Sequence, residues 1–242
     1  MKTLVIGLAI LMLCLAARPS AAKIVHRWRF DADASDSVGD ADGVLKDGAK
    51  VNEGQVELDG ETAFVELPIG TTIAGLKNAT VEGWVTWKEY LDPWARIFDF
   101  GQGRNASMYV TPRNGFARPG SAADTPRFTI TNTGLQNEEQ VNAPDKFPID
   151  KETHVAVTID GEQGVAKMYL DGKLVATQEG LKLTPSDLGN TPNNWLGASQ
   201  YQDADPLFYG SISEFRIYDT ALSDDDVSKS FERGPDKFQS EP

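Results

Sequence analysis

Two stretches of this chain set a flat aromatic ring beside amides, acids and a guanidinium. The first is Tyr90-Leu91-Asp92-Pro93-Trp94, followed by Arg96. The second is Asn193-Asn194-Trp195, with Gln200-Tyr201 and Asp203 to Asp205 a few residues on. Asn105, Arg113, Asn114 and Asn132 stand at the ends of neighbouring strand-like runs. This mix suits a sugar, because an aromatic face covers the apolar side of a pyranose while amides and carboxylates bond its hydroxyls. The candidate ligand residues are therefore Tyr90, Asp92, Trp94, Arg96, Asn114, Asn194, Gln200, Tyr201 and Asp203. Trp94 follows a proline in a loop, where burial is not required, so it leads the set. Trp195 sits in a strand-like motif and is expected in the core, as are Trp28, Trp84 and Trp87, which alternate with apolar residues.

A second constellation is acidic. Asp36, Asp40 and Asp42 share a glycine-containing loop. Hard oxygen donors on a bent backbone are what calcium takes, in shells of about six to eight. The spacing is not that of an EF-hand, and turn chemistry is a competing account of the same residues.

Hydrolytic chemistry has little to work with. A retaining glycosidase needs two carboxylates about 5 Å apart, hence acids at alternate positions of one strand, and no strand-like run carries them. Asp224-Asp225-Asp226 is contiguous and reads as a helix start, and Glu138-Glu139 lies in a polar stretch. There are two histidines, His26 and His154, and both fall in strands where a hydrogen-bonded structural role is expected. No serine lies in a nucleophile elbow. The expectation is a non-catalytic protein.

The elements that must position these residues are mostly strands. Ile24, His26, Trp28 and Phe30 alternate with Val25, Arg27 and Arg29, which predicts one strand face. Strand patterns follow at Phe64–Leu67, Val81–Trp87, Arg96–Phe100, Met108–Val110, Arg127–Thr131, His154–Asp160, Val165–Leu170 and Leu174–Thr177. Asp171-Gly172 between two apolar runs is a hairpin signal. One helix is predicted near the end: Ser223 caps it, three aspartates crowd its first turn, and Gly234-Pro235 stops it.

Met1 to Ala22 has a lysine, an apolar run and small residues before Lys23, the pattern of a secretory leader cleaved after Ala22. It contains Cys14, the sole cysteine, so the mature chain is expected to have no disulfide. The formal charge is −13 for the whole chain, and losing Lys2 and Arg18 makes it more negative still. Such a balance argues against nucleic acid and anionic lipid as partners. With no second apolar run, no membrane insertion is expected after cleavage. The expected organisation is a leader over 1–22, one domain over 23–234 and a disordered tail over 235–242, secreted, periplasmic or at the cell surface.

Asn193-Asn194-Trp195-Leu196-Gly197-Ala198-Ser199-Gln200-Tyr201, then Phe208-Tyr209-Gly210-Ser211-Ile212-Ser213-Glu214-Phe215-Arg216-Ile217-Tyr218, resembles the late strands of laminin-G-like, concanavalin A-like jelly rolls. Further matches run in order: Asp36-Ser37-Val38-Gly39-Asp40-Ala41-Asp42-Gly43, Leu58-Asp59-Gly60, Val81-Glu82-Gly83-Trp84-Val85, Arg96-Ile97-Phe98-Asp99-Phe100-Gly101, His154-Val155-Ala156-Val157-Thr158 and Tyr169-Leu170-Asp171-Gly172. The resemblance implies an all-β, two-sheet antiparallel sandwich with one short C-terminal helix. It implies a binding role, with a glycan or a surface protein as partner. A carbohydrate-binding module is the first expectation, and a protein-binding adhesion or structural domain the alternative. A glycan-active enzyme of this fold is the third. By the same resemblance Glu214 is placed to close a structural Ca2+ site with Asp36 and Asp42.

Overall fold

A computed structural model describes residues 22–88, 92–116 and 124–235. Residues 1–21 of the expected leader, Tyr90, and residues 236–242 of the tail expected over 235–242 lie outside the described residues. Among the described residues no helix is long and apolar enough to cross a membrane.

In chain order the strands are β1 (Ile24–Trp28), β2 (Val44–Lys46), β3 (Lys50–Asn52), β4 (Gln55–Asp59), β5 (Phe64–Glu66), β6 (Asn78–Trp87), β7 (Phe98–Gly101) and β8 (Ser107–Thr111). They continue as β9 (Arg127–Thr131), β10 (Glu139–Asn142), β11 (Glu152–Asp160), β12 (Val165–Leu170), β13 (Lys173–Glu179), β14 (Asn193–Leu196) and β15 (Tyr209–Tyr218). All pairings are antiparallel. An eight-stranded sheet runs β13-β12-β11-β6-β15-β4-β3, with β1 also on β15. A seven-stranded sheet runs β10-β9-β8-β7-β14-β5-β2. The two enclose one core that includes Trp28, Trp87, Phe98, Phe100, Phe128 and Phe215.

Period-2 alternation decides what each sheet turns inward. Register shifts amend it, and two of them bear on which residues face the core. Between Ile24 and His26 an extra residue slips into β1, so Ile24 leaves the face of Trp28 and packs outside with Tyr218 and Val227. Between Ile212 and Glu214 a second shift lets both Ile212 and Phe215 point into the core while Glu214 and Arg216 point out. The Asp171-Gly172 hairpin forms as expected, with φ of 47° and 72°, both positive as a type I′ turn needs.

The predicted terminal helix, α2 (Asp224–Arg233), has Ser223 as its cap, whose side chain accepts from the Asp226 N–H. A helix that the sequence did not signal, α1 (Gly70–Gly75), carries no side-chain cap and no first-turn acid. It is a turn-length bridge between β5 and β6, fixed by the burial of Ile73 rather than by propensity.

Candidate functional site

The outer face of the seven-stranded sheet carries a row of cross-strand neighbours. Gln140 pairs with Thr129, Thr129 with Tyr109, Tyr109 with Asp99, Asp99 with Trp195, Trp195 with Glu66 and Glu66 with Val44. Each alternates with core residues such as Phe98, Phe100, Met108, Val110, Phe128 and Ile130. Beside this row Asn142 pairs with Arg127, and Arg127 with Thr111.

Two segments fold over the middle of the face. The approach to β7 brings Arg96, whose guanidinium lies 3.9 Å over the Tyr109 ring. Its Nη2 reaches Asp205 Oδ2 at 2.7 Å, its Nη1 donates to the Trp94 carbonyl at 2.7 Å, and its Nε stands 3.6 Å from Asp99 Oδ2. Trp94 is half-buried at φ +77°, with the guanidinium carbons of Arg96 and Arg127 at 5.7 and 5.5 Å from its ring centroid. The loop from β14 to β15 supplies the rest. The Gln200 N–H donates to Asp99 Oδ2 at 2.9 Å, and Ser199 Oγ donates to Asp205 at 2.7 Å. Gln200 Oε1 accepts from the Gly103 N–H at 2.8 Å. Tyr201 is partly exposed, with Arg104 stacked 4.9 Å from its ring, and Arg104 in turn pairs with Asp203.

Electrostatics at the centre are set by exclusion of water. Burial pushes Asp99 up to about 7, against the pull of the Arg96 charge and the Gln200 N–H, and Asp205 adds to the rise. Burial likewise raises Tyr109 to about 12. Among the described residues Arg96 Nε, Asp99 Oδ1 and Thr129 Oγ1 are buried with no hydrogen-bond partner. Their residues are 2%, 0% and 0% exposed. Such atoms are uncommon in folded proteins, and these three lie beneath the segments that cover the middle of the face.

Of the sequence candidates, the structure brings together Trp94, Arg96, Gln200 and Tyr201. Asn114 joins them at the edge, donating from Nδ2 to Asn142 Oδ1 at 3.1 Å. Asp203 and Asp92 are exposed at the rim. Asn194 is a correction. It pairs in register with Phe100, which puts it on the inward side, and its Nδ2 donates to the carbonyls of Thr191 and Leu67 at 2.7 and 3.3 Å. Its task is to fasten backbone. Trp195 corrects the opposite way. It pairs with Asp99, lies half-buried on the outer face and meets Phe64 edge-on at 6.0 Å. Asp99, Tyr109, Arg127, Thr129, Gln140 and Asn142 were missed. The available signal was a polar residue between two core aromatics or aliphatics, as in Phe98-Asp99-Phe100 and Phe128-Thr129-Ile130.

The calcium set does not fit the metal. Asp36 Oδ1 accepts the N–H groups of Arg27, Val38 and Gly39, and Asp36 Oδ2 bonds His26 Nδ1 at 2.6 Å. Asp42 accepts the Asp36 N–H at 2.9 Å. Glu214 is taken by Arg27, at 2.6 and 3.0 Å, and by Arg216. The lone pairs a cation would need are aimed at N–H donors, and two guanidiniums occupy the place of positive charge. Among the described residues no group of three or more His, Cys, Asp or Glu side chains is arranged to hold a metal. His26 and His154 are structural as expected, with His154 Nε2 at 3.0 Å from Glu82.

The two sheets and their connection define a jelly-roll sandwich of the concanavalin A type. Residues 59–228 match the family model Laminin_G_3, of the concanavalin A-like lectin/glucanases superfamily, and the chain belongs to that family. No curated protein matches. Among solved structures the chain is similar to domain 4 of AbnA, a GH43 extracellular arabinanase from Geobacillus stearothermophilus, in complex with arabinotriose. The two are 24% identical with a TM-score of 0.69, over 86% of this chain and 98% of that one. It is also similar to the CBM40 of the Ruminococcus gnavus IT-sialidase bound to α2,3-sialyllactose, at 20% identity and TM-score 0.60, over 72% of this chain and 95% of that one. A third likeness, at 15% identity and TM-score 0.64, is to botulinum neurotoxin type C, whose cell entry depends on two ganglioside molecules. It covers 86% of this chain and 50% of that one. At these identities the likeness is one of fold.

Proposed function

We propose that this protein is an exported, non-catalytic carbohydrate-binding module, and that its site is the outer face of the seven-stranded sheet around Trp94, Arg96 and Tyr201. The observation that carries this reading is the pair of partly exposed aromatics, Trp94 and Tyr201, each with a guanidinium against its ring on a polar sheet face. A sugar ring covers such aromatic faces while its hydroxyls bond the polar groups around them. The similar domains crystallised with arabinotriose and sialyllactose support the class of ligand without naming this one.

The reading is non-catalytic because the central acids are not free to react. Asp99 is fully buried under the Gln200 N–H, and Asp205 is held by Arg96 and Ser199. Neither arrangement presents a carboxyl to a glycosidic oxygen.

A glycan array probed with the purified protein tests this, followed by calorimetry on the best ligand. Trp94→Ala and Tyr201→Ala should each weaken binding by about tenfold or more, the equivalent of ~1.4 kcal/mol, with Tm changed by only a few degrees. An array with no binding, together with pull-down of a protein partner, would favour the adhesion alternative. Release of reducing sugar from any bound polysaccharide would overturn the non-catalytic assignment.

A further inference from the structure

Arg127 differs from the other buried and half-buried arginines among the described residues. With 36 acids against 23 bases, a guanidinium without a carboxylate is unexpected. Arg27, Arg29, Arg96, Arg104, Arg113 and Arg216 each have one. Among the described residues Arg127 makes no ion pair, although it is half-buried on the sheet face. Its Nε donates to Asn142 Oδ1 at 2.6 Å, and the Trp94 ring centroid is 5.5 Å from its guanidinium carbon. The Nη groups, the two donors that match a carboxylate, donate to no described residue.

Holding that charge there has a cost. Burial lowers the Arg127 pKa, Tyr109 and Glu138 oppose the fall, and the Arg96 charge adds to it. Glu138 does not act as the partner: it accepts from Gln140 Nε2 at 2.7 Å and lies 3.4 Å from the Tyr109 hydroxyl. Two residues along β9, on the same side of the strand, Thr129 is fully buried opposite Tyr109. A pre-placed cation fork therefore stands beside the half-buried Trp94 ring.

We propose that this face selects acidic sugars, the carboxylate of a uronic or sialic acid residue pairing with the Nη groups of Arg127 while the Trp94 ring covers the sugar. The inference rests on the carbohydrate-binding reading and narrows its ligand class.

Calorimetry with matched pairs tests it: α2,3-sialyllactose against lactose, and tetragalacturonate against a neutral galactose tetramer. The acidic member of at least one pair should bind about tenfold tighter or more, and the pair in which this happens tells sialic from uronic acid. Raising NaCl from about 0.05 to 0.5 M should erode that preference, because screening shortens from over 10 Å to a few ångströms. Arg127→Gln should bring both members within about twofold of each other, and Arg127→Lys, which keeps the charge, should retain part of the preference. Neutral members binding as tightly as acidic ones would overturn the inference and leave the carbohydrate reading standing. So would Arg127→Gln weakening both members by the same factor. If all four sugars fail while the array shows a neutral ligand, the acidic-sugar inference alone falls. A blank array removes both.

Discussion

Glu82 offers the sharpest test of how the sandwich holds its terminal helix. Its Oε1 accepts from Tyr218 at 2.8 Å, Arg216 Nη1 at 3.0 Å and Ser230 Oγ at 2.7 Å, and its Oε2 meets His154 Nε2 at 3.0 Å. The residue is 1% exposed. Burial alone would raise its pKa, but the His154 hydrogen bond and charge and the Arg216 charge outweigh burial and bring it from 4.5 to about 2. At ~1.4 kcal/mol per pKa unit that displacement corresponds to about 3 kcal/mol. It matches the roughly 3–5 kcal/mol lost when one member of a buried ion pair is removed. Glu82→Gln should therefore cost about 3 kcal/mol at pH 7, or roughly 6–12 °C in Tm for a domain of this size. The sign of the pH dependence follows from the depressed pKa. The contribution is present above the unfolded value near 4.5 and is lost as pH falls towards about 2. Urea denaturation at pH 7 and pH 3 should thus show the gap between wild type and variant shrinking by more than half. A gap that stays constant over that range would refute the claim that the Glu82 charge, rather than its shape, holds α2.

Three further predictions concern other parts of the molecule. Asp99, with its pKa raised by burial to about 7, favours folding below its unfolded pKa near 4 and forfeits that advantage as pH rises to 7. Asp99→Asn should accordingly gain in Tm on the wild type between pH 4 and pH 8, and an unchanged difference would mean that Arg96 holds the carboxylate charged. Prolonged EDTA treatment, and then millimolar calcium, should leave Tm unmoved, since the Asp36 and Glu214 oxygens are already committed to N–H donors; a calcium-dependent rise in Tm would reinstate the metal. Gly210 has φ +154°, and a Cβ there would lie 2.0 Å from the Thr86 carbonyl oxygen. Gly210→Ala should cost more than about 2 kcal/mol by urea titration, and wild-type stability would show that β15 can shift away from β6.

Much of this architecture was legible in the residues. Alternation marked β1, β6, β8, β9 and β11, Asp171-Gly172 marked the β12–β13 hairpin, and Ser223 with three aspartates marked the start of α2. Those signals are local, and the structure keeps them. What escaped depends on partners distant in sequence. The three-residue strands β2 and β3 carry too few positions for a period to show, and α1 is set by what it packs on. The site was half legible for the same reason. Loops rich in Trp, Tyr and Asn drew the eye to Trp94 and Tyr201. That Asp99, Tyr109 and Thr129 form one row required the register of β7, β8 and β9. Asn194 and Trp195 were exchanged, inward for outward, because a shift of one residue in the assumed phase of a strand exchanges its faces.

The two outer faces of the sandwich differ in how fully their arginines are paired. Both faces bury arginine with carboxylates. On the eight-stranded sheet Glu82, Glu214, Arg27 and Arg216 answer one another, Ser230 of α2 donates to Glu82, and the unpartnered atom of the group is His154 Nδ1. The charges there are used up in holding β1, β6, β15 and α2 together. On the seven-stranded sheet Arg96 is likewise shared between Asp99 and Asp205, but among the described residues Arg127 makes no ion pair. A guanidinium without a carboxylate beside the half-buried Trp94 is why the sugar is proposed for this sheet, while α2 is held on the other.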